Sequence, residues 1–322
     1  MMICERKGAR KPICASDAKW RVEPKRGGMQ LFEHLAAELL ISPAEASALI
    51  DFGAVQLDGR RQRNPHKTLQ GDEEIQVHWP HHGVRRFYEI DPERILFRDR
   101  FLLAYDKESG IPSQAIPADA FNNVFAAAFR FFERLAPPDA YVALHHRLDR
   151  ETSGVMLFAL DRSVNRKLGE AFQARQVVKD YLAWVKGCPA RDEWVSAEDI
   201  GRRGGRYATV PEGRGKSAET IFRVLLRETD RSLLWARPKT GRTHQIRLHA
   251  AACGHPVIGD RLYGAIPAPR LHLHAFRMSL VHPISGTQLV LTAPIPLDWP
   301  APREVVLPVE MERAEDREQR AE

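Results

Sequence analysis

The residues best placed to do chemistry lie in His145-His146-Arg147-Leu148-Asp149-Arg150-Glu151-Thr152-Ser153-Gly154. One carboxylate, Asp149, stands between two arginines and is followed by a Thr-Ser-Gly turn and the apolar run Val155-Met156-Leu157-Phe158-Ala159-Leu160. A run of this length bounded by turn residues reads as a buried strand, although a buried helix fits the pattern too. Asp149 then occupies a loop at the mouth of a core element, where a rigid scaffold can hold a reactive acid. Taken alone, the stretch also fits a surface loop in which Asp149 and its arginine neighbours form a weak exposed ion pair.

Two later stretches could supply partners. In Lys179-Asp180-Tyr181-Leu182-Ala183-Trp184-Val185-Lys186-Gly187, strand alternation puts Lys179, Tyr181, Ala183 and Val185 on one face and Asp180, Leu182 and Trp184 on the other. In Pro238-Lys239-Thr240-Gly241-Arg242-Thr243-His244-Gln245-Ile246-Arg247-Leu248-His249, Thr243 is a good N-cap, and Gly254 and Pro256 close the helix after about three turns. Thr243 and Arg247, four apart, share a face of that helix, and Lys239 and Arg242 precede it, so cations point toward one cleft. His244 and His249 are five apart with no acidic ligand near, a poor spacing for a shared metal, and no zinc site is expected.

The patterns H-R-L-D-x-x-T-S-G, K-x-Y-x-A-x-V-x-G and R-T-H-Q-I-R-L-H, in this order, resemble the motifs of the RluA-type pseudouridine synthases. Lys107 to Gly110, Gly215 to Thr220, Gly254 to Gly264, Leu271 to Ala275 and Pro294 to Trp299 continue the likeness, which runs from about Ile95 to Trp299. The resemblance implies isomerisation of uridine in RNA. The N1–C1′ bond breaks, the base turns, C5 bonds to C1′, and the C5 proton is lost. No redox change occurs and no cofactor or metal is implied. On this resemblance Asp149 is the catalytic carboxylate, either adding covalently or assisting glycosidic cleavage. Arg247 pairs with it and opposes the rise in pKa that desolvation would cause. Tyr181 stacks on the uracil and helps remove the C5 proton. A uridine in folded RNA must be flipped out, and Arg147 is the candidate side chain to fill the vacated place. Lys179, Lys239, Arg242, His244 and Gln245 are expected to contact the RNA around the cleft.

Two other classes of function compete. A glycoside hydrolase also attacks a C1′ bond but needs a second carboxylate, and the nearest, Glu151, falls at an unspecified position of the motif. A non-catalytic RNA-binding protein would need the basic loops but not Asp149, Tyr181 and Arg247 together. Within the synthase reading, large-subunit ribosomal RNA is the expected substrate and tRNA the alternative.

The elements that must position these residues follow from the rest of the chain. Its 322 residues, 43% hydrophobic and with net charge +6, suffice for a large domain plus a small one and suit a polyanionic partner. Four widely spaced cysteines and no C-x-x-C pair point to a reducing cytoplasm. No apolar run is long enough to span a bilayer, and a monomer is expected. Residues 1–28 read as a disordered basic arm. From 29 to 80, Leu31, Leu35 and Leu39 mark a helix, and Ser42-Pro43-Ala44-Glu45 a capping box opening a second helix. Asp58-Gly59 marks a hairpin turn, with Ile75 and Val77 on a returning strand. This order resembles the S4-like RNA-binding module, with Arg60, Arg61, Arg63 and Lys67 as its candidate phosphate contacts, and a packing or partner-binding domain is the alternative. A linker (81–94), the catalytic domain (95–305) and a charged tail (306–322) complete the chain. The expected fold is α+β, a mixed and mainly antiparallel sheet with flanking helices.

Overall fold

The computed structural model describes residues 17–79, 88–118, 120–135, 139–264, 266–300, 302 and 305. Residues 1–16 of the expected arm, residues 81–87 of the expected linker and the expected tail lie outside the described residues.

The N-terminal unit contains β1 (Ala18–Arg21), α1 (Leu31–Leu39), α2 (Pro43–Asp51), β2 (Val55–Leu57), β3 (Arg60–Arg61) and β4 (Glu74–Val77). The Ser42–Glu45 capping box forms, with each residue's side chain accepting from the other's backbone N–H. Asp58 and Gly59 both take positive φ, as a tight hairpin between β2 and β3 requires. Leu31, Leu35, Leu39, Leu49 and Ile50 from the helices pack on Val55, Leu57, Ile75 and Val77 from the strands. The expectation of a disordered arm through Gly28 is corrected here. Residues 18–21 pair along β4, and Val22 is buried in the same core, so burial and a strand ladder offset the ordering entropy.

The second unit is a ten-stranded sheet with helices against it, the mixed and mainly antiparallel arrangement expected. Its strands are β5 (Ile95–Arg98), β6 (Leu102–Lys107), β7 (Ala143–Leu144), β8 (Ser153–Ala159), β9 (Val178–Lys186), β10 (Glu193–Ser196), β13 (Thr220–Arg227), β14 (Arg231–Pro238), β15 (Leu273–Val281) and β16 (Gln288–Thr292). The helices are α3 (Val124–Leu135), α4 (Arg162–Gln173) and α5 (Gln245–Ala252), and a separate hairpin joins β11 (Asp199–Arg203) to β12 (Arg206–Val210). The main order is β10-β13-β14-β9-β15-β8-β6-β5, and only β15 and β8 run parallel. The apolar run of the first motif is therefore a fully buried strand, β8. The expected linker end is also revised. The Tyr88 hydroxyl lies 2.8 Å from that of Tyr105, and Arg94 pairs with Asp106 at 2.8 Å, so residues 88–94 belong to the second unit.

Two glycines set close approaches. Gly154 has φ +111, and a Cβ there would stand 2.2 Å from the Ala275 carbonyl oxygen, so the β8–β15 contact needs glycine. Gly53 has φ +73, and a Cβ there would meet the Phe121 ring at 2.7 Å. That second contact joins the two units. Phe121 also donates its N–H to the Phe52 carbonyl, and the Arg63 guanidinium stacks 3.9 Å from the Phe121 ring centre. Arg61 donates to the carbonyls of Gly53 and Pro117.

Candidate active site

The Asp149 loop is fastened on both sides of the acid. Before it, His146 accepts the Leu157 N–H at Nε2, and its pKa is pulled down to about 3 by burial and by the nearby Lys179 ammonium, which keeps the ring a neutral acceptor. Ser113 then brackets Leu148, its hydroxyl donating to the Leu148 carbonyl and accepting the Leu148 N–H. After the acid, Lys107 is fully buried and donates to the carbonyls of Glu108, Ile111 and Arg150 at 2.7–3.0 Å. Ser109 donates to the Glu151 carbonyl at 2.6 Å. The sequence signal for this support was the Lys-x-Ser-Gly stretch, and its physical content is a buried ammonium whose three N–H groups meet three carbonyls.

The cleft is lined by Arg147, Leu148, Asp149 and Thr152 from this loop, Lys179 and Tyr181 from β9, and residues 240–247 from the α5 approach. Strand alternation holds: Lys179 and Tyr181 face the cleft, while Asp180 points behind the sheet, where Arg237 and Arg277 each meet it at 2.8 Å. Burial and the nearby Asp149 carboxylate push the Tyr181 phenol well above its ordinary pKa, so it stands in the cleft as a neutral hydroxyl. Burial lowers the Lys179 ammonium.

Asp149 keeps 21% of its side chain exposed, and Arg247 Nη1 lies 3.5 Å from its Oδ2. Arg247 thus meets Asp149, but it has a second and closer acidic partner. Its guanidinium is clamped at Nε and Nη2 by the fully buried Asp260 carboxylate, both bonds 2.8 Å. Only the remaining Nη1 reaches toward Asp149. Asp260 in turn accepts the backbone N–H groups of Leu262 and Tyr263, and its pKa is lowered although burial opposes this. The planar fork suits this double duty, one edge for a bidentate carboxylate and one N–H left over. Asp260 and Tyr263 were missed as site residues, though both stand in the Gly254–Gly264 stretch.

The remaining expected contacts divide. Arg147 is exposed at the cleft rim, tied by Nη2 to the Thr243 hydroxyl at 3.1 Å. Arg242 lines the cleft and donates to the Ser217 carbonyl. His244 lines it too, with Nδ1 2.6 Å from the Tyr263 hydroxyl and Nε2 3.9 Å from Asp149 Oδ2. Gln245 is a correction: 4% exposed, its amide bonds Thr240, Thr220, the Glu219 carbonyl and the Arg242 N–H, so it braces the loop. Lys239 is exposed and does not line the cleft. Thr243 is not the N-cap. His244 takes that position in the left-handed region, and α5 is eight residues long. In the N-terminal unit Arg60 is exposed and Lys67 half-buried, whereas Arg61 and Arg63 are engaged with the catalytic unit.

Among the described residues lining the cleft, Asp149 is the only acid. Glu151 is turned to Arg150 at 2.8 Å. A two-carboxylate hydrolytic mechanism has no second acid here. What the arrangement offers is one carboxylate, a cation beside it, a neutral phenol and a basic rim.

Comparison with known proteins shows what the chain as a whole is similar to. Residues 102–252 match the family model described as RNA pseudouridylate synthase. The ribosomal large subunit pseudouridine synthase D of Xanthomonas campestris pv. campestris is 32% identical over 305 residues, covering 88% of this chain and 91% of that protein. The ribosomal large subunit pseudouridine synthase C of Buchnera aphidicola is 32% identical over 219 residues, 64% of this chain and 68% of the relative. Among solved structures, human RNA pseudouridylate synthase domain containing 4 superposes with TM-score 0.54 at 25% identity, covering 64% of this chain and 89% of that one. The human domain containing 1 protein shares the fold, with TM-score 0.56 at 23% identity, over 70% of this chain and 97% of that one.

Proposed function

The chain belongs to the RluA family of RNA pseudouridylate synthases, and from that premise we propose that it isomerises specific uridines of large-subunit ribosomal RNA. The observation that carries the reading is Asp149 as the one acid among the described residues that line a cationic cleft, its loop pinned on both sides and Tyr181 within the same pocket. Asp149 supplies the carboxylate charge at C1′ or the uracil ring. Arg247, oriented by Asp260, keeps a charge-assisted donor beside it. Tyr181 lies against the base, and as a neutral hydroxyl it can pass a proton only in concert with a neighbour. Arg147 at the rim is the candidate to occupy the space of the flipped uridine, its bond to Thr243 being a single neutral contact easily exchanged.

Ribosomal RNA is favoured over tRNA by the names of the relatives and by the S4-like order of the N-terminal module, which we take to hold RNA through Arg60 and Lys67. RNA is the partner, and a monomer working in the cytoplasm is the proposed state. Among the described residues no helix is long and apolar enough to cross a membrane.

The test is Asp149→Asn, which keeps the shape and removes the charge. Tritium release from C5-labelled uridine in ribosomal RNA fragments should fall by about 10⁴-fold or more, the scale of losing a covalent-catalysis residue, with RNA affinity and melting temperature unchanged. Turnover close to wild type in that variant would remove Asp149 from its role.

A further inference from the structure

His244 sits in a sparsely populated backbone conformation, φ 58 and ψ 20, between the cleft loop and α5. Such strain in a non-glycine residue is held only where surroundings impose it, and here two aromatic rings do. Tyr207 of β12 meets the imidazole edge-on at 5.9 Å and Tyr263 at 5.6 Å, so the ring cannot swing away. Nδ1 is bonded to the Tyr263 hydroxyl, and Nε2 faces Asp149 Oδ2 from 3.9 Å, too far for a direct hydrogen bond. That gap is the space in which a substrate atom would touch both groups.

We propose that Tyr263 and His244 act as a pair, in which the Tyr263 hydroxyl fixes the imidazole so that an uncharged Nε2–H is presented to an acceptor oxygen of the target nucleotide beside Asp149. This rests on the pseudouridine synthase reading of the cleft. His244 is thereby a substrate contact and Tyr263 a positioning residue.

The direction of the Tyr263–His244 bond follows from what surrounds it. If Nδ1 carried the proton, the Nε2 lone pair would face the Asp149 carboxylate, lone pair against negative charge. With the phenol donating to Nδ1, the Nε2–H faces that carboxylate instead. Burial raises the Tyr263 pKa despite the Arg247 guanidinium 5.2 Å from its ring, so the phenol keeps its proton to give. The groups facing His244 are Asp149 and Arg147 from the catalytic loop, Arg247 from α5, Asp260 and Tyr263 from the following loop, and Tyr207 from β12. Burial lowers the imidazole pKa; Asp149 and Asp260 raise it, while Arg247 and Arg147 lower it, and the result lies below the ordinary value. A neutral donor matters because an imidazolium would pair with Asp149 and close the gap the nucleotide must enter.

Tyr263→Phe isolates the idea, since it keeps the ring beneath Arg247 and deletes only the hydroxyl. Single-turnover product formation near neutral pH should fall about tenfold, the scale of one misdirected hydrogen bond, with RNA affinity and melting temperature unchanged. The acid limb of its pH–rate profile should move to higher pH, because Nδ1 is then free to take a proton and the imidazolium so formed pairs with Asp149 through its Nε2–H. His244→Asn tolerates the left-handed backbone and should lose at least as much rate. The double variant should be no slower than His244→Asn, because Tyr263 works through the imidazole. A Tyr263→Phe enzyme with wild-type rate and profile, or losses that multiply in the double variant, would overturn the inference. An inactive wild type would instead overturn the synthase reading beneath it.

Discussion

The cleft and the N-terminal module both carry clustered arginines, and the two regions use them in opposite ways. In the cleft, Arg247 is gripped by Asp260, and the grip leaves one N–H aimed at the reactive acid. Arg147 stays exposed with a single neutral tether. In the module, Arg61 is committed to carbonyls of both units and Arg63 to the face of Phe121, so two of its cations join domains. All three of Arg60, Arg61 and Arg63 are exposed, and nothing in their local sequence tells which two reach the other unit. A cation's task is set by the partner that reaches it first, and for buried or docked arginines that partner is distant in sequence.

Arg247→Met breaks this contrast most severely. It deletes the guanidinium and strands the fully buried Asp260 carboxylate, leaving it only the two backbone N–H donors. A loss of about 3–5 kcal/mol of folding stability is expected, the scale of breaking a buried pair from one side. Asp260→Asn should be milder in stability while still loosening Arg247's aim. Chemical denaturation of the two variants, read beside their single-turnover rates, separates support from chemistry. If Arg247→Met is as stable as wild type, the Asp260 clamp is not what holds the residue.

Part of this contrast was readable from the sequence and part was not. Period-two alternation put Lys179 and Tyr181 on one face and Asp180 on the other, because a strand leaves a side chain no other choice, and the cleft lies on the first of these faces. The apolar run after Thr-Ser-Gly became β8, and the acid at its mouth lines the pocket. The Ser42–Glu45 capping box and the Asp58-Gly59 turn were legible for the same reason: their partners lie within a few residues. Asp260 escaped notice as the clamp because its meeting with Arg247, thirteen positions away, depends on the path of the chain from Gly254 to Tyr263. The left-handed His244, held by two tyrosines, displaced the expected Thr243 cap, a case of tertiary packing overriding local preference. Strand β1 was hidden because its residues Ala18-Lys19-Trp20-Arg21 look soluble until β4 lies beside them.

A smaller effect is expected at Lys107, the buried cation beneath the Asp149 loop. Burial pulls its ammonium down to about 7, from an ordinary value near 10.5. Between these two values the unfolded chain binds more protons than the folded one, so this group makes stability rise with pH from about 7 to 10.5. Below about 7 both states are protonated and the burial cost is present in full. Lys107→Met should remove that slope, at most about 1.4 kcal/mol per pH unit, and leave the Glu108 and Ile111 carbonyls without this donor, while the Arg150 carbonyl keeps the Gly110 N–H. Because the wild type gains stability as pH rises, its advantage over Lys107→Met should widen from pH 7 to pH 9. Lys179 has the same sign in both proteins and cancels in the difference. A gap that stays constant would mean Lys107 remains charged across the range, its three carbonyl partners outweighing burial.

The smallest effects should come from the module, and they sharpen the contrast with the cleft. If Arg60 and Lys67 meet phosphates, replacing either by alanine should weaken RNA binding alike across sequences. Each should reduce the slope of log affinity against log salt by about 1. Arg63→Ala should behave differently, since its guanidinium already lies on Phe121. It should leave the salt slope nearly unchanged, while hydrogen exchange at the Phe121 N–H, which is bonded to the Phe52 carbonyl, should quicken as the module loosens. Phe121→Ala should reproduce the loosening with no change of charge at all. If Arg63→Ala instead lowers the salt slope as much as Arg60→Ala, the arginine leaves Phe121 when RNA arrives, and the module's cations form one RNA-binding set.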